Sequence, residues 1–287
     1  MTIQEAERKL IESLNNIYET RESIAIADLA MEYLLDWKKF DRIINKSTVL
    51  SPNQESRFEK ISTELLSHRP VQYVTGTAWF SGLKLFVDEQ VLIPRPETEE
   101  LVEWILDDQK RTRKSKARIL DIGTGSGSIG IALKRKWPAA DISACDVSEA
   151  ALNVARKNAE NLTAEIHFLH LDFLKAEERV DLPIFDILVS NPPYIPFSEL
   201  KNIEPHVATY EPHLALFVDS GRPFVFYEAI AEFAMTHLAE QGSIYAELHV
   251  DGAAKVKALF LERGFGQIEL RKDMQGLNRM IKATRLL

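Results

Sequence analysis

Asn191-Pro192-Pro193-Tyr194 brings an amide, two ring-locked backbones and a phenol together within four residues. An amide or aromatic-amine nitrogen is a weak nucleophile because its lone pair is delocalised, and this tetrapeptide can counter that weakness. The Asn191 side-chain oxygen accepts one hydrogen bond and the Pro192 carbonyl a second. Both N–H bonds of an NH2 group would then be held with the lone pair aimed at an electrophile. Successive prolines fix φ and restrict the residue before them, which preorganises the two acceptors. Tyr194 offers a flat face to a planar substrate group. At average residue usage such a tetrapeptide arises by chance in roughly one chain per thousand of this length. A rigid proline turn without chemistry is therefore the weaker account.

A second chemical segment precedes it. Asp121-Ile-Gly-Thr-Gly-Ser-Gly-Ser-Ile-Gly130 puts glycines where a strand must turn sharply into a helix. Without Cβ atoms at Gly123, Gly125 and Gly127, the backbone from Gly123 through Thr124 and Ser126 can come close to a ligand. The stretch from Gly125 also satisfies the dinucleotide fingerprint, with Asp146 about twenty residues on, so the loop alone does not choose between NAD and S-adenosylmethionine. Asp121 sits two residues before the first glycine. A carboxylate there is unfavourable beside a pyrophosphate and favourable for the cationic amino group of S-adenosylmethionine. Asp146 can accept from ribose hydroxyls under either reading. Asp172 could bond the exocyclic amine of adenine and Phe173 cover its face, with a helix N-cap as the weaker alternative for Asp172.

These residues need a sheet to hold them. Arg118–Ile122 reads as a strand running into the glycine loop, and Phe185–Ser190 as a buried strand delivering Asn191 to the carboxyl edge, where open α/β sheets bind ligands. Further strands are predicted at Asp141–Asp146, Glu165–Leu169 and Ser243–Leu248, with helices between most of them and one at Glu97–Leu106. Gly266–Arg271 and Arg279–Thr284 leave no room for a crossover helix, so that pair must be antiparallel. A mostly parallel sheet closed by an antiparallel C-terminal hairpin is the architecture of class I S-adenosylmethionine-dependent methyltransferases. Ahead of it, residues 1–75 read as helical. Leu10, Ile11, Leu14 and Ile17 recur at helical spacing, a second helix starts near Ser23 as N-cap, and a third at Ser51-Pro52. From Val71 to Ile93 the pattern turns β-like, with Gly82 between Thr77–Phe80 and Lys84–Val87. The division expected is a helical substrate-docking domain over 1–75, a β-hairpin linker over 76–93 and a Rossmann-like methyltransferase catalytic domain over 94–287.

Bulk properties narrow the classes. Among 287 residues, 45% are hydrophobic and 27% charged, as in ordinary soluble globular proteins. No apolar run is long enough to cross a bilayer, no leader is visible at Met1, and the single cysteine, Cys145, suits a reducing compartment, so a cytoplasmic protein is expected. The net charge of −8 lowers the prior for gripping nucleic acid. The basic run Lys110, Arg111, Arg113, Lys114, Lys116 and Arg118 reads as a solvated loop. His167 and His170, three apart on a strand, point to opposite faces and cannot share a metal. His206, His213 and His249 lack ligand spacing, and Cys145 reads as a buried wall residue. No metal is expected.

Taken together, the segments resemble the peptide chain release factor N(5)-glutamine methyltransferases, the HemK family. Arg69–Gly76 is similar to the family's linker, and Leu92–Glu99 to the signature before its catalytic domain. Tyr210–Pro212, Ala215–Leu216 and Gly221 are similar to the segment after the catalytic loop, and Asp273–Gly276 with Arg279 to the terminal hairpin. The resemblance runs from about residue 69 to the end; the helical N-terminus matches in character only. It implies methyl transfer from S-adenosylmethionine, leaving S-adenosylhomocysteine, to the glutamine of a Gly-Gly-Gln loop in a release factor, without DNA or membrane as partner. Gly123 to Gly127, Asp146, Phe173 and Asn191 would contact the cofactor, and Asn191 to Tyr194 the glutamine. The chain departs from the family at Glu247-Leu248-His249, where many members have a glycine close after the glutamate, and at Phe173, where tryptophan is common. Ribosomal-protein glutamine methyltransferases share the catalytic residues, N(6)-adenine DNA methyltransferases share the tetrapeptide, and a binding module that has lost the reaction would share the fold. The DNA enzymes must flip a base and need a recognition domain, for which the helical, non-basic N-terminus is ill suited.

Overall fold

The computed structural model describes residues 1–285, which fall into two units: 1–77 with 204–210, and 78–203 with 211 onward. In the first unit, Thr2 caps α1 (Ile3–Leu14) by accepting from the Glu5 amide, and Ile3, Ala6, Leu10 and Leu14 form its buried face. The next helix, α2 (Thr20–Leu35), begins earlier than expected: Glu19 is the N-cap, and Ser23 is buried within the first turn. A short α3 (Lys39–Ile44) follows, then α4 (Pro52–Leu66), which Ser51 caps with Gln54 as expected. Val71–Thr75 is a turn of helix, α5, not the start of β structure. Pro70 fixes its entry, and Gly76, at φ 62°, ends it in the left-handed region. These helices pack around Leu10, Leu34, Phe58 and Leu65. α10 (Pro205–Tyr210) belongs to this unit, where the Tyr210 hydroxyl donates to the Ser67 carbonyl at 2.8 Å.

The second unit starts at Ala78, within the hairpin of β1 (Thr77–Phe80) and β2 (Leu83–Phe86), which turns at Ser81 and Gly82, both at positive φ. α6 (Pro96–Thr112) leads to β3 (Arg118–Ile122), α7 (Ser128–Lys136), β4 (Asp141–Asp146), α8 (Glu149–Asn161) and β5 (His167–His170). A single turn α9 (Ala176–Arg179) precedes β6 (Phe185–Ser190), and the short β7 (Ile195–Pro196) pairs with β8 (Phe217–Val218) across α11 (His213–Leu216). α12 (Val225–His237), β9 (Leu238–Glu247), α13 (Ala253–Glu262), β10 (Phe265–Lys272) and β11 (Asn278–Arg285) complete the chain.

Seven strands form one sheet in the order β10-β11-β9-β6-β3-β4-β5. The pairs from β9 through β6, β3 and β4 to β5 are parallel, and β11 is antiparallel to both β10 and β9. This is the class I methyltransferase architecture. Strand alternation sorts the core into two layers. Leu120, Ile122, Leu188 and Ile244 face α12 and α13, while Ile119, Ile187, Val189 and Tyr245 face α6 and α7. Because β3 lies between β4 and β6, the chain leaves it toward one side first and returns on the other. That reversal opens a crevice beyond the carboxyl ends of β3 and β6. Among the described residues, no helix is long and apolar enough to cross a membrane.

Candidate active site

The crevice is a cavity of about 320 Å³ that gathers most of the residues singled out from sequence: Gly123 to Ser126, Asp146, Asp172, Phe173 and Asn191 to Pro193. A larger one, about 590 Å³, lies at the opposite, amino edge around Asp108, Lys114 and Asp186, and contains none of them. Of the two, the smaller one alone holds the glycine loop and the tetrapeptide.

The glycine loop is held from behind. Gly123, Gly125 and Gly127 take φ of 71°, 54° and 81°, conformations that side chains resist. The Gly123 and Thr124 amides donate to the Cys145 carbonyl, and the Gly125 amide donates to Asp146 Oδ2 at 2.9 Å. A Cβ on Gly123 or Gly125 would meet nothing within 4 Å, so open space lies before the backbone there, while one on Gly127 would strike Ile131 at 2.9 Å. Strand alternation turns Asp121 away from the cavity toward α7, where Oδ2 accepts from Thr124 Oγ1 at 2.6 Å and from the Gly130 amide at 3.0 Å. The expectation that Asp121 meets a ligand directly is corrected: it is fully buried, does not line the cavity, and shapes the loop. Complete burial pushes its carboxyl up to about 6.

At the next strand end, Asp146 lines the cavity and also accepts from the Ser148 amide. Burial raises its carboxyl, against the pull of these backbone bonds. Asp172 caps no helix. Its Oδ1 accepts from the Leu174 amide at 3.0 Å, and the N-cap of α9 is Lys175. Phe173 is buried, with the Phe233 ring edge-on at 5.3 Å and the Arg179 guanidinium 4.9 Å from its centroid.

The tetrapeptide is fixed to the loop strand where Ser190 Oγ donates to the Ile122 carbonyl at 2.7 Å. Asn191 Nδ2 donates to Thr98 Oγ1 at 3.0 Å, and Thr98 Oγ1 donates to Glu247 Oε2 at 2.6 Å. The other carboxylate oxygen, Oε1, accepts from the Tyr194 hydroxyl at 2.9 Å. Tyr194 does not line the cavity; its hydroxyl turns inward, and burial beside Glu247 raises it above its ordinary value and keeps it a donor. Glu247 is itself fully buried, which raises its carboxyl above 4.5. Thr98 and Glu247 were not foreseen as site residues. The signal available was position: Thr98 lies inside the family-like segment Leu92–Glu99, and Glu247 ends a buried strand of otherwise largely apolar residues.

Two further clamps hold the walls. Glu211 is buried and accepts from Arg95 Nη2 at 2.6 Å and the Ile93 amide at 3.2 Å, joining two segments that line the cavity. Asn158 on α8 accepts from the Phe86 amide at 2.7 Å and donates to the Phe86 and Ser126 carbonyls, each at 2.9 Å. Among the described residues, no group of three or more His, Cys, Asp or Glu is placed to hold a metal ion.

Comparison with known proteins bears on this arrangement. Residues 5–76 match the PrmC N-terminal domain and residues 100–209 the Methyltransferase small domain. The chain is 37% identical over 285 residues to a release factor glutamine methyltransferase of Flavobacterium psychrophilum, covering 99% of each. The chain belongs to the release factor glutamine methyltransferase family. A family member from Chlorobaculum tepidum is 40% identical over 88% of this chain and 87% of its own. Among solved structures, a methyltransferase from Pyrococcus furiosus aligns at TM-score 0.53 and 16% identity, over 83% of this chain and all of that one, a likeness of fold alone. Family membership covers both units, so the helical N-terminus, matched from sequence in character only, is part of the resemblance.

Proposed function

We propose that this chain transfers a methyl group from S-adenosylmethionine to the side-chain amide nitrogen, N(5), of the glutamine in the Gly-Gly-Gln loop of peptide chain release factors, acting in the cytoplasm without a metal. One observation carries the reading: the glycine loop and Asn191-Pro192-Pro193 end adjacent strands and line one cavity. The residues fit the cofactor. Open space before Gly123 and Gly125 admits a ligand against the backbone, Asp146 stands at the next strand end for ribose hydroxyls, and Asp172 with Phe173 lines the wall for adenine. The cofactor supplies an electrophilic methyl on a positively charged sulfur.

The chain's own part is positioning. Because Asn191 spends Nδ2 on Thr98, its Oδ1 is the end left to accept from the substrate, and among the described residues it has no partner. Oδ1 and the Pro192 carbonyl would take the two N–H bonds of the glutamine amide and turn its nitrogen lone pair toward the methyl. As the nitrogen takes the methyl, the methyl–sulfur bond breaks and its electron pair leaves with S-adenosylhomocysteine, so the nitrogen becomes pyramidal and its N–H bonds more acidic. Both hydrogen bonds therefore strengthen toward the transition state, and one of those protons passes to solvent water to leave the neutral N-methyl amide. Tyr194 supports this from behind, through Glu247, not as a face against the glutamine. The basic run offers little to nucleic acid, since Lys110, Arg111 and Lys114 pair with Asp107, Asp108 and Asp186.

Incubation with S-adenosylmethionine carrying a tritiated methyl tests the reading, using purified release factor, ribosomal protein and DNA in parallel. Label is expected in the glutamine of the release factor. Label in either of the others alone overturns the assignment. Asn191→Ala should lower the rate about a hundredfold or more, as for loss of one preorganised catalytic hydrogen-bond partner. Near-normal turnover in that variant would mean the amide is not held as described.

A further inference from the structure

We propose that Glu247 sets the direction of the hydrogen-bond chain through Thr98 and thereby decides which end of the Asn191 amide faces the substrate. The inference rests on the methyl-transfer reading above and adds two positioning residues to it. A hydroxyl has a single proton to donate. With Glu247 ionised, the 2.6 Å contact between Thr98 Oγ1 and Glu247 Oε2 must contain the Thr98 proton, because the carboxylate has none. Thr98 can then only accept from Asn191, which requires the NH2 end of that amide at 3.0 Å and leaves Oδ1 for the substrate. If Glu247 takes a proton at Oε2, the direction can reverse. The carboxyl donates to Thr98, Thr98 donates to Asn191, and the amide turns over to present Nδ2 to the substrate. A donor then meets the glutamine NH2 group, itself a donor, and the substrate loses the acceptor that aimed its lone pair.

The same carboxylate holds Tyr194 through Oε1, so both ends of the tetrapeptide hang on one side chain. It is enclosed from every neighbouring element. Thr98 and Glu97 face it from α6, Tyr194 from the loop after β6 and Arg279 from β11, and the Tyr227 hydroxyl of α12 bonds its backbone carbonyl at 2.8 Å. Arg279, in turn held by Asp273, favours the charged form, while burial and Glu97 oppose it. Burial prevails, so the carboxyl titrates above its ordinary 4.5 and the reversal comes closer to neutral pH.

The test combines kinetics with a readout independent of turnover. In the full-length enzyme with intact release factor, kcat should fall as pH is lowered from about 8 to about 5, with an acid limb above the usual glutamate range. Thr98→Val should lower kcat about tenfold or more, the worth of one hydrogen bond, and flatten that limb, while affinity for S-adenosylhomocysteine by calorimetry is unchanged. Thr98→Ser should recover most of the rate and the limb. Glu247→Gln should abolish the limb, and if it fails to fold the threonine pair still decides. In two-dimensional 1H–15N spectra the Asn191 side-chain NH2 signals, identified by their loss in Asn191→Ala, should move over the same pH range in wild type and Thr98→Ser but not in Thr98→Val. Thr98→Val with wild-type kcat and acid limb overturns the proposal, as do Asn191 signals indifferent to pH in the wild type. If the wild type labels no release factor, the functional reading fails instead, and the spectra still decide the direction of the chain.

Discussion

The carboxyl group of Asp121 is fully buried, with Oδ2 committed to Thr124 and Gly130 and Oδ1 without a partner among the described residues. Its folded value of about 6 lies above the ordinary 3.8, so the folded protein binds this proton more tightly than the unfolded chain does. The stability it lends is complete below 3.8 and is lost as pH rises through about 6. Asp121→Asn escapes that loss. Urea unfolding at several pH values should show the variant gaining up to about 3 kcal/mol on the wild type between pH 4 and pH 7. A pH-independent difference between the two would mean that Asp121 does not titrate in this range. Residue type and spacing were enough to place Asn191, Pro192, Asp146, Gly123 and Gly125 at one cavity, because each lies at or just past a strand end. The direction of a buried side chain was less accessible. Asp121 looked like a ligand until the pleat of β3 turned it to α7, and Tyr194 looked like a wall until Glu247 drew its hydroxyl inward.

At the level of elements, the strands nearest the site were readable to the residue: Arg118–Ile122, Asp141–Asp146 and Phe185–Ser190 all stand as expected. Each is a short apolar run between clear breakers. The N-terminal helical unit misled where local chemistry competed with periodicity. Val71 to Thr75 is rich in β-branched residues, yet Pro70 and Gly76 close it into one helical turn. Ser23 looked like a cap, but the chain was already helical from Thr20. β9 begins at Leu238, five residues before the expected Ser243, because its first residues pass through an irregularity at Gln241, at φ 60°, beside a register shift against β6. In the turn from β3 into α7, Gly127 combines a positive φ with a crowded Cβ position. Gly127→Ala must hold a Cβ at φ 81° against Ile131 and Ala155, and the combined strain and overpacking should cost about 2–5 kcal/mol in chemical denaturation. A variant as stable as the wild type would mean that the loop relaxes without penalty.

For the molecule as a whole, recognition has to exceed what a glutamine side chain offers, since that group is small, flexible and abundant. A second contact elsewhere on the enzyme must select the protein that carries it. The helical unit, 1–77 with 204–210, carries exposed apolar residues. On α3, Phe40, Ile43 and Ile44 lie on one face at 71%, 58% and 64% exposure. Replacing Phe40 and Ile44 with serine removes apolar surface without touching a core. The expected result is a KM for intact release factor raised roughly tenfold or more, with kcat and S-adenosylhomocysteine affinity unchanged. An unaltered KM would remove α3 from the docking surface. That face was invisible beforehand because α3 is a helix of six residues, too short for a periodic signal.

Asn158 also has a consequence measured in time. Its side-chain oxygen holds the Phe86 amide, and its side-chain nitrogen holds the carbonyl of Ser126 in the glycine loop. None of Leu83 to Phe86 lines the cavity. The Phe86 hydrogen can exchange with solvent deuterium only while Asn158 has let go. A ligand that steadies the loop shortens those intervals, so S-adenosylhomocysteine should slow exchange at Phe86, a site the ligand never meets.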